Sequence, residues 1–135
     1  MRAYFARRLR LLAPIFIEPV EGLPPADPEG VVEFNREFLR AGTPAFRLLY
    51  YAMILVLQAL CLATRGKSLY SLPPDEADRF IQSLYSHRVS ALGAVPAVLG
   101  TVIYMSHYNR DDLQALLGFD VAAMREEAAQ RGVQR

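Results

Sequence analysis

The sequence predicts an all-α protein, a compact or partner-wrapping bundle of about six helices. Three observations lead there. No stretch alternates apolar and polar residues over strand length, the pattern that a half-buried β-strand needs. Ala, Leu, Arg, Glu and Gln, all good helix formers, recur throughout. Pro and Gly gather at a few places beside capping residues, and these places divide the chain into helix-length segments.

The first segment, "MRAYFARRLRLLAPIFIEP", carries Arg2, Arg7, Arg8 and Arg10 and no acid before Glu18. Arg7 and Arg8 form a twin arginine, but the apolar stretch behind them is short and interrupted by Pro14. No small-residue cleavage site follows, so a secretory signal is not expected. The segment reads as a basic helix that docks on an acidic surface or a membrane face. "EPVEGLPPADPEG" is then a Pro/Gly/acid linker that no helix can cross. Residues 1–27 are accordingly expected to be a basic segment and linker, and 28–135 the bundle, within one domain.

Asp27 can cap a helix that opens on Pro28, a favoured first position, and runs to about Arg40. Its apolar residues Val31, Phe34, Phe38 and Leu39 share one face. In "AGTPAF" the device repeats: Gly42 closes one helix, Thr43 caps the next and Pro44 opens it. That next helix ends near Thr64, before "RGKSLYSL". "SLPPDEADRF" is a third start, with Asp75, Glu76 and Asp78 where the helix dipole favours anions. Phe80, Ile81, Leu84 and Tyr85 form its apolar face. A long apolar helix is expected from Ser90 to about His107, bent at Pro96, with Gly93, Ala97, Gly100 and Thr101 as a small-residue strip for close helix approach. Asn109 is expected to cap "RDDLQALL", Gly118 to stop it, and a polar helix to run from about Val121 to Arg131.

Composition limits the function classes. The chain has 135 residues, of which 53% are hydrophobic, at or above the upper end for soluble domains. A small domain with surplus apolar residues exposes some of them, and such patches mark partners or membranes. The net charge of +1 gives no pull toward nucleic acid. Cys61 stands alone, so no intrachain disulfide can form, and its apolar surroundings suit an inert buried thiol. His87 and His107 have no Cys or carboxylate at ligand spacing, so no metal site is expected. Tyr104, His107 and Tyr108 share a face at i, i+3 and i+4, as packing residues or as the lining of a pocket. No phosphate-binding glycine loop or nucleophile elbow occurs, and no catalytic residue, bound cofactor or metal is expected in the chain itself.

The apolar stretch "FRLLYYAMILVLQALCLATRGK" decides most of the rest. From Leu48 to Thr64 it offers about 17 residues, the lower limit for crossing hydrocarbon. Ser90 to Met105 is equally marginal, so a two-helix membrane hairpin is the alternative reading. Against it, Arg47, Tyr51, Gln58 and Arg65 fall on one stripe at helical spacing. That stripe suits a helix buried on most sides and wetted on one.

The order of pieces downstream resembles the gluconate 2-dehydrogenase subunit 3-like family. Those pieces are Leu69 to Glu76 after a basic loop, Leu84 to Arg88, Tyr104 to Asn109, and Leu117 to Asp120. The upstream "GLPPAD" and the apolar helix after it fit too. The resemblance implies a non-catalytic small subunit that binds and stabilises a large FAD-dependent dehydrogenase of the glucose–methanol–choline type. FAD would sit in that flavoprotein partner, with no nucleic acid involved and at most peripheral membrane contact. Many such subunits carry a twin-arginine export signal. This chain shows no convincing one, which implies the cytoplasm, at or near the inner membrane face. The residues expected at the partner interface are Tyr50, Ile54, Leu57, Cys61, Leu99, Tyr104, His107, Tyr108 and Phe119.

Overall fold

The computed structural model describes residues 2–133 and is all-α, with no strand among the described residues. Seven α-helices follow one another: α1 (Arg2–Phe16), α2 (Pro28–Ala41), α3 (Pro44–Arg65), α4 (Pro74–Tyr85), α5 (Ser90–Tyr108), α6 (Asp111–Leu116) and α7 (Val121–Val133). A single 3-10 turn, Leu69–Ser71, lies between α3 and α4.

The punctuation works largely as the sequence predicts. Asp27 Oδ1 accepts from the Gly30 backbone N–H at 3.0 Å, and Thr43 Oγ1 accepts from Phe46 N–H at 3.2 Å. Each satisfies one of the unpaired donors at its helix start. Gly118 closes α6 at φ +82, where Phe119 N–H donates to Gln114 O and Gly118 N–H to Ala115 O. A left-handed glycine is the usual way to complete this closure. Asn109 does not cap α6. It forms the end of α5 instead, and the residue before α6 is Arg110, which makes no side-chain cap. A cap follows at Asp120, whose Oδ1 accepts from Ala123 N–H at 3.0 Å.

Helix α5 is the hub, packed against α1, α2, α3 and α4. Val95, Leu99, Val102 and Ile103 point into the core from it. Its small residues serve two neighbours rather than one. A Cβ on Gly100 would stand 3.1 Å from the Phe16 ring of α1, and one on Gly93 would stand 3.3 Å from Leu84 O at the end of α4. The helix runs through Pro96 as a continuous α-helix.

Helix α1 departs from expectation. It is not an appended docking segment but a wall of the bundle: Phe5, Leu9, Leu12, Ala13 and Phe16 are all buried. They recur at spacings of three and four, which the alternating arginines obscured in sequence. Arg8 is held between two rings, 4.8 Å from the centroid of Tyr4 and 4.5 Å from that of Tyr70. Arg10 grips Glu29 of α2 in a two-pronged pair, with Nη2 to Oε2 at 2.9 Å. The arginines face outward or across to neighbours while the apolar residues fill the core. Pro25 O, in the linker after α1, accepts from Arg110 Nη1 at 2.9 Å, which ties that linker to the α5–α6 corner.

The domain division therefore shifts: Arg2–Phe16 belongs to the helical bundle. Leu12 is fully buried. Leu12→Ala is expected to cost about 2–5 kcal/mol in urea unfolding, as for a core leucine. A merely docked helix would leave the transition unchanged.

Candidate functional site

Helix α3 poses the functional question, because its residues are apolar almost all the way round. Its inward seam is Tyr50, Ile54, Leu57 and Cys61, all between 0% and 1% exposed. The spacing of four, three and four residues keeps these side chains on one face. Tyr50 brings a hydroxyl into the core, and the sequence supplies a partner. Tyr50 Oη donates to Asn35 Oδ1 of α2 at 2.6 Å, while Asn35 Nδ2 donates to Val31 O at 2.8 Å. Burial pushes the Tyr50 phenol well above its ordinary range, so it stays a neutral donor. Burial likewise raises the Cys61 thiol, with Arg65 opposing, and keeps it unreactive.

The polar stripe of α3 is not its wet side. Tyr51 stacks on Phe5 of α1, ring centroids 4.3 Å apart. Gln58 reaches over the chain after the helix, Nε2 donating to Ser68 Oγ at 3.0 Å and Oε1 accepting from Leu69 N–H at 3.3 Å. Arg47 is half-buried, and its Nε lies out of contact with solvent with no hydrogen-bond partner. Of the expected wetted stripe only Arg65 is exposed, while Arg47, Tyr51 and Gln58 are half-buried. The face turned away from the inward seam meets solvent. Leu48 is 71% exposed, Leu55 46% and Leu62 48%, with Leu49 and Val56 beside them.

That outer face has an order of its own. Ala45, Leu48, Ala52, Leu55, Ala59 and Leu62 alternate small and large at spacings of three, four, three, four and three. This is the seam of a helix that packs along another helix, with leucines as knobs and alanines allowing close approach. By the rise of an α-helix it runs about 26 Å. It carries no charged side chain, and its leucines lie exposed among the described residues.

Five of the residues expected at a partner interface thus lie elsewhere. Tyr50, Ile54, Leu57, Cys61 and Leu99 fill the chain's own core and leave no surface for a partner. They are the most apolar inward positions of α3 and α5, and those helices bury them against each other and their neighbours. His107 is also buried, at 5% exposed. Tyr104, Tyr108 and Phe119 remain on the surface, at 41%, 50% and 52%. With Met105, Leu116 and Leu117 they leave a second apolar area at the C-terminal end of α5 and around α6. The first area, Leu48 to Leu62, was missed in sequence, although the Leu/Ala alternation at heptad spacing was there to find it.

The His107 ring meets Tyr108 edge-on at 5.4 Å, and its Nδ1 is buried without a partner. No group of three or more metal-ligating side chains forms among the described residues. Comparisons with family models, with curated proteins and with solved structures return no match to this chain.

Two helices, Pro44–Arg65 and Ala91–Tyr108, are long and apolar enough to cross a membrane by length and composition. They differ in how far the fold already covers them: 22% of the first window is buried and 44% of the second. The hub helix is committed to the core, whereas α3 has a whole side to spare.

Burial holds the His107 imidazole below its ordinary range, and Arg110 adds to this against a smaller opposite pull from Asp112. The folded protein therefore keeps His107 neutral, while the unfolded chain takes up a proton near pH 6.5. Stability from this site is full above that pH and falls as pH drops below it. Thermal unfolding between pH 7.5 and 5.5 should show a fall in Tm that His107→Gln flattens. The carboxylates lowered by their arginines, Glu29 and Asp112, act only at more acid pH.

Proposed function

We propose that this chain is a non-catalytic helical subunit whose outer α3 seam docks against a larger protein. The observation that carries the reading is the uncovered run from Ala45 to Leu62, patterned for a helix or groove and free of charge. An exposed apolar surface of this length on a small protein is a docking surface by default. The mode is helix-in-groove, with Leu48, Leu55 and Leu62 as anchors.

The resemblance in "LYSLPPDE" and in the later pieces names the partner: a large FAD-dependent dehydrogenase of the glucose–methanol–choline type. The subunit would stabilise that enzyme while the flavoprotein holds FAD and substrate. The exposed Tyr104, Tyr108 and Phe119 form the second contact in this reading. A site in the cytoplasm, at or near the inner membrane face, belongs to the same proposal.

The second reading, a membrane hairpin of α3 and α5, draws on the length of both helices. It asks more of the fold. Moving α5 into lipid would separate Val95, Leu99, Val102 and Ile103 from the helices they pack against. It would also uncover the apolar faces of α1, α2 and α4. A protein groove takes the outer face of α3 and leaves every core contact in place.

Co-expression with the flavoprotein should yield a soluble stoichiometric complex. Leu55→Glu with Leu62→Glu should weaken that complex by at least tenfold in a pull-down titration. Because both side chains face solvent in the isolated chain, stability should change by no more than about 0.5 kcal/mol. An intact complex in the double variant, or sedimentation of the wild-type chain with membranes through carbonate extraction, would contradict the proposal.

A further inference from the structure

A cleft of about 1090 Å³ opens between α1, α2 and the start of α3, separate from the outer face of α3 except where Leu48 touches both. Its floor is apolar, from Phe5, Leu9 and Leu39, and its rim carries Arg36, Arg40 and Arg47. No carboxylate lines it. Arg36 is engaged at its edge by Glu33, 2.8 Å away across an exposed turn of α2. Arg40 and Arg47 have no ion pair or hydrogen bond within the described residues. Arg47 is the unusual one, since its Nε is sealed from solvent without an acceptor. A buried guanidinium N–H normally finds one, because leaving it bare forfeits hydration with nothing in return.

From this juxtaposition we infer that the cleft binds a single-chain amphiphile with an anionic head, a long-chain carboxylate or alkyl phosphate. The head would meet the guanidinium forks of Arg40 and Arg47, whose paired donors match carboxylate and phosphate geometry. The alkyl chain would lie on Phe5, Leu9 and Leu39. The volume stands just above the about 300–1,000 Å³ typical of small-molecule sites, ample for such a chain. An inorganic anion would leave the apolar floor empty, and a neutral lipid would leave Arg40 and Arg47 without a counter-charge. Two cations with no counter-charge, Arg40 and Arg47, set over an apolar floor, complement both halves of the amphiphile. The inference is independent of the docking reading, because it rests on different residues of α3.

The test uses the purified full-length chain and the fluorescence of a dansyl-labelled undecanoate. Laurate and dodecyl phosphate, below their micellar concentrations, should displace the probe. Dodecanol and inorganic phosphate should each compete at least tenfold more weakly. Arg47→Gln should weaken laurate binding by tenfold or more with an unchanged circular dichroism spectrum and Tm, and Arg40→Gln should weaken it too. Arg65→Gln, the same charge change at the far end of α3, should bind as wild type. Equal competition by dodecanol, wild-type affinity in Arg47→Gln, or no saturable probe binding would overturn the inference. So would binding seen only on vesicles of phosphatidylcholine with phosphatidylglycerol and not with monomeric laurate, since that would make the source of the head group a membrane surface.

Discussion

The structure depends on one constraint: α3 carries two apolar seams back to back, and a chain of this size covers only one. Tyr50, Ile54, Leu57 and Cys61 turn inward, and Leu48, Leu55 and Leu62 turn outward. Apolarity alone does not decide which seam goes in, because both would gain from burial. The choice falls to the polar residues. The Tyr50 hydroxyl has its acceptor on Asn35, Gln58 has the turn after α3, and Tyr51 has the Phe5 ring. Turning the helix over would bring leucine to those places and leave the Asn35 amide oxygen buried and bare, at a cost of about 1–3 kcal/mol.

The other helices follow from that orientation. With the inner seam of α3 placed, α5 supplies the facing surface with Leu99 and Ile103, and its glycines admit the Phe16 ring of α1 and the end of α4. Helix α1 then closes the bundle, holding its arginines clear through the Tyr4 and Tyr70 rings and through Glu29. The closure also leaves the arginine-rimmed cleft between α1, α2 and the start of α3, beside the Phe5–Tyr51 stack. Both surfaces with functional promise are thus by-products of how α3 is seated.

Helix boundaries were legible because caps are local chemistry. Asp27, Thr43, Pro44 and Gly118 announce their roles within a few residues, and the structure differs mainly at Asn109. The all-α class was legible for the same reason. The facing of α3 was not. A stripe of Arg47, Tyr51, Gln58 and Arg65 looks like a wetted edge when seen in one helix alone, yet Tyr51 stacks on Phe5 of α1, Gln58 bonds the turn after the helix and Arg47 is half-buried. The same blindness placed Tyr50, Ile54, Leu57, Cys61 and Leu99 at a partner interface. They are the best-covered residues of the core, and only the positions of α2 and α5 reveal it. Helix α1 was misassigned because its arginines drew attention away from Phe5, Leu9, Leu12 and Phe16. Tyr104, Tyr108 and Phe119, also expected at a partner interface, are exposed.

The central claim is that the outer seam of α3 is open in the isolated chain and covered by protein in its working state. Maleimide labelling of Leu55→Cys tests it directly, since the native Cys61 is buried and stays silent under native conditions. The isolated chain should label at the rate of an exposed thiol. Adding the proposed flavoprotein partner should slow labelling by at least tenfold, and adding anionic lipid vesicles should leave it unchanged. Slow labelling of the isolated chain, or protection by vesicles and not by the partner, would contradict the account.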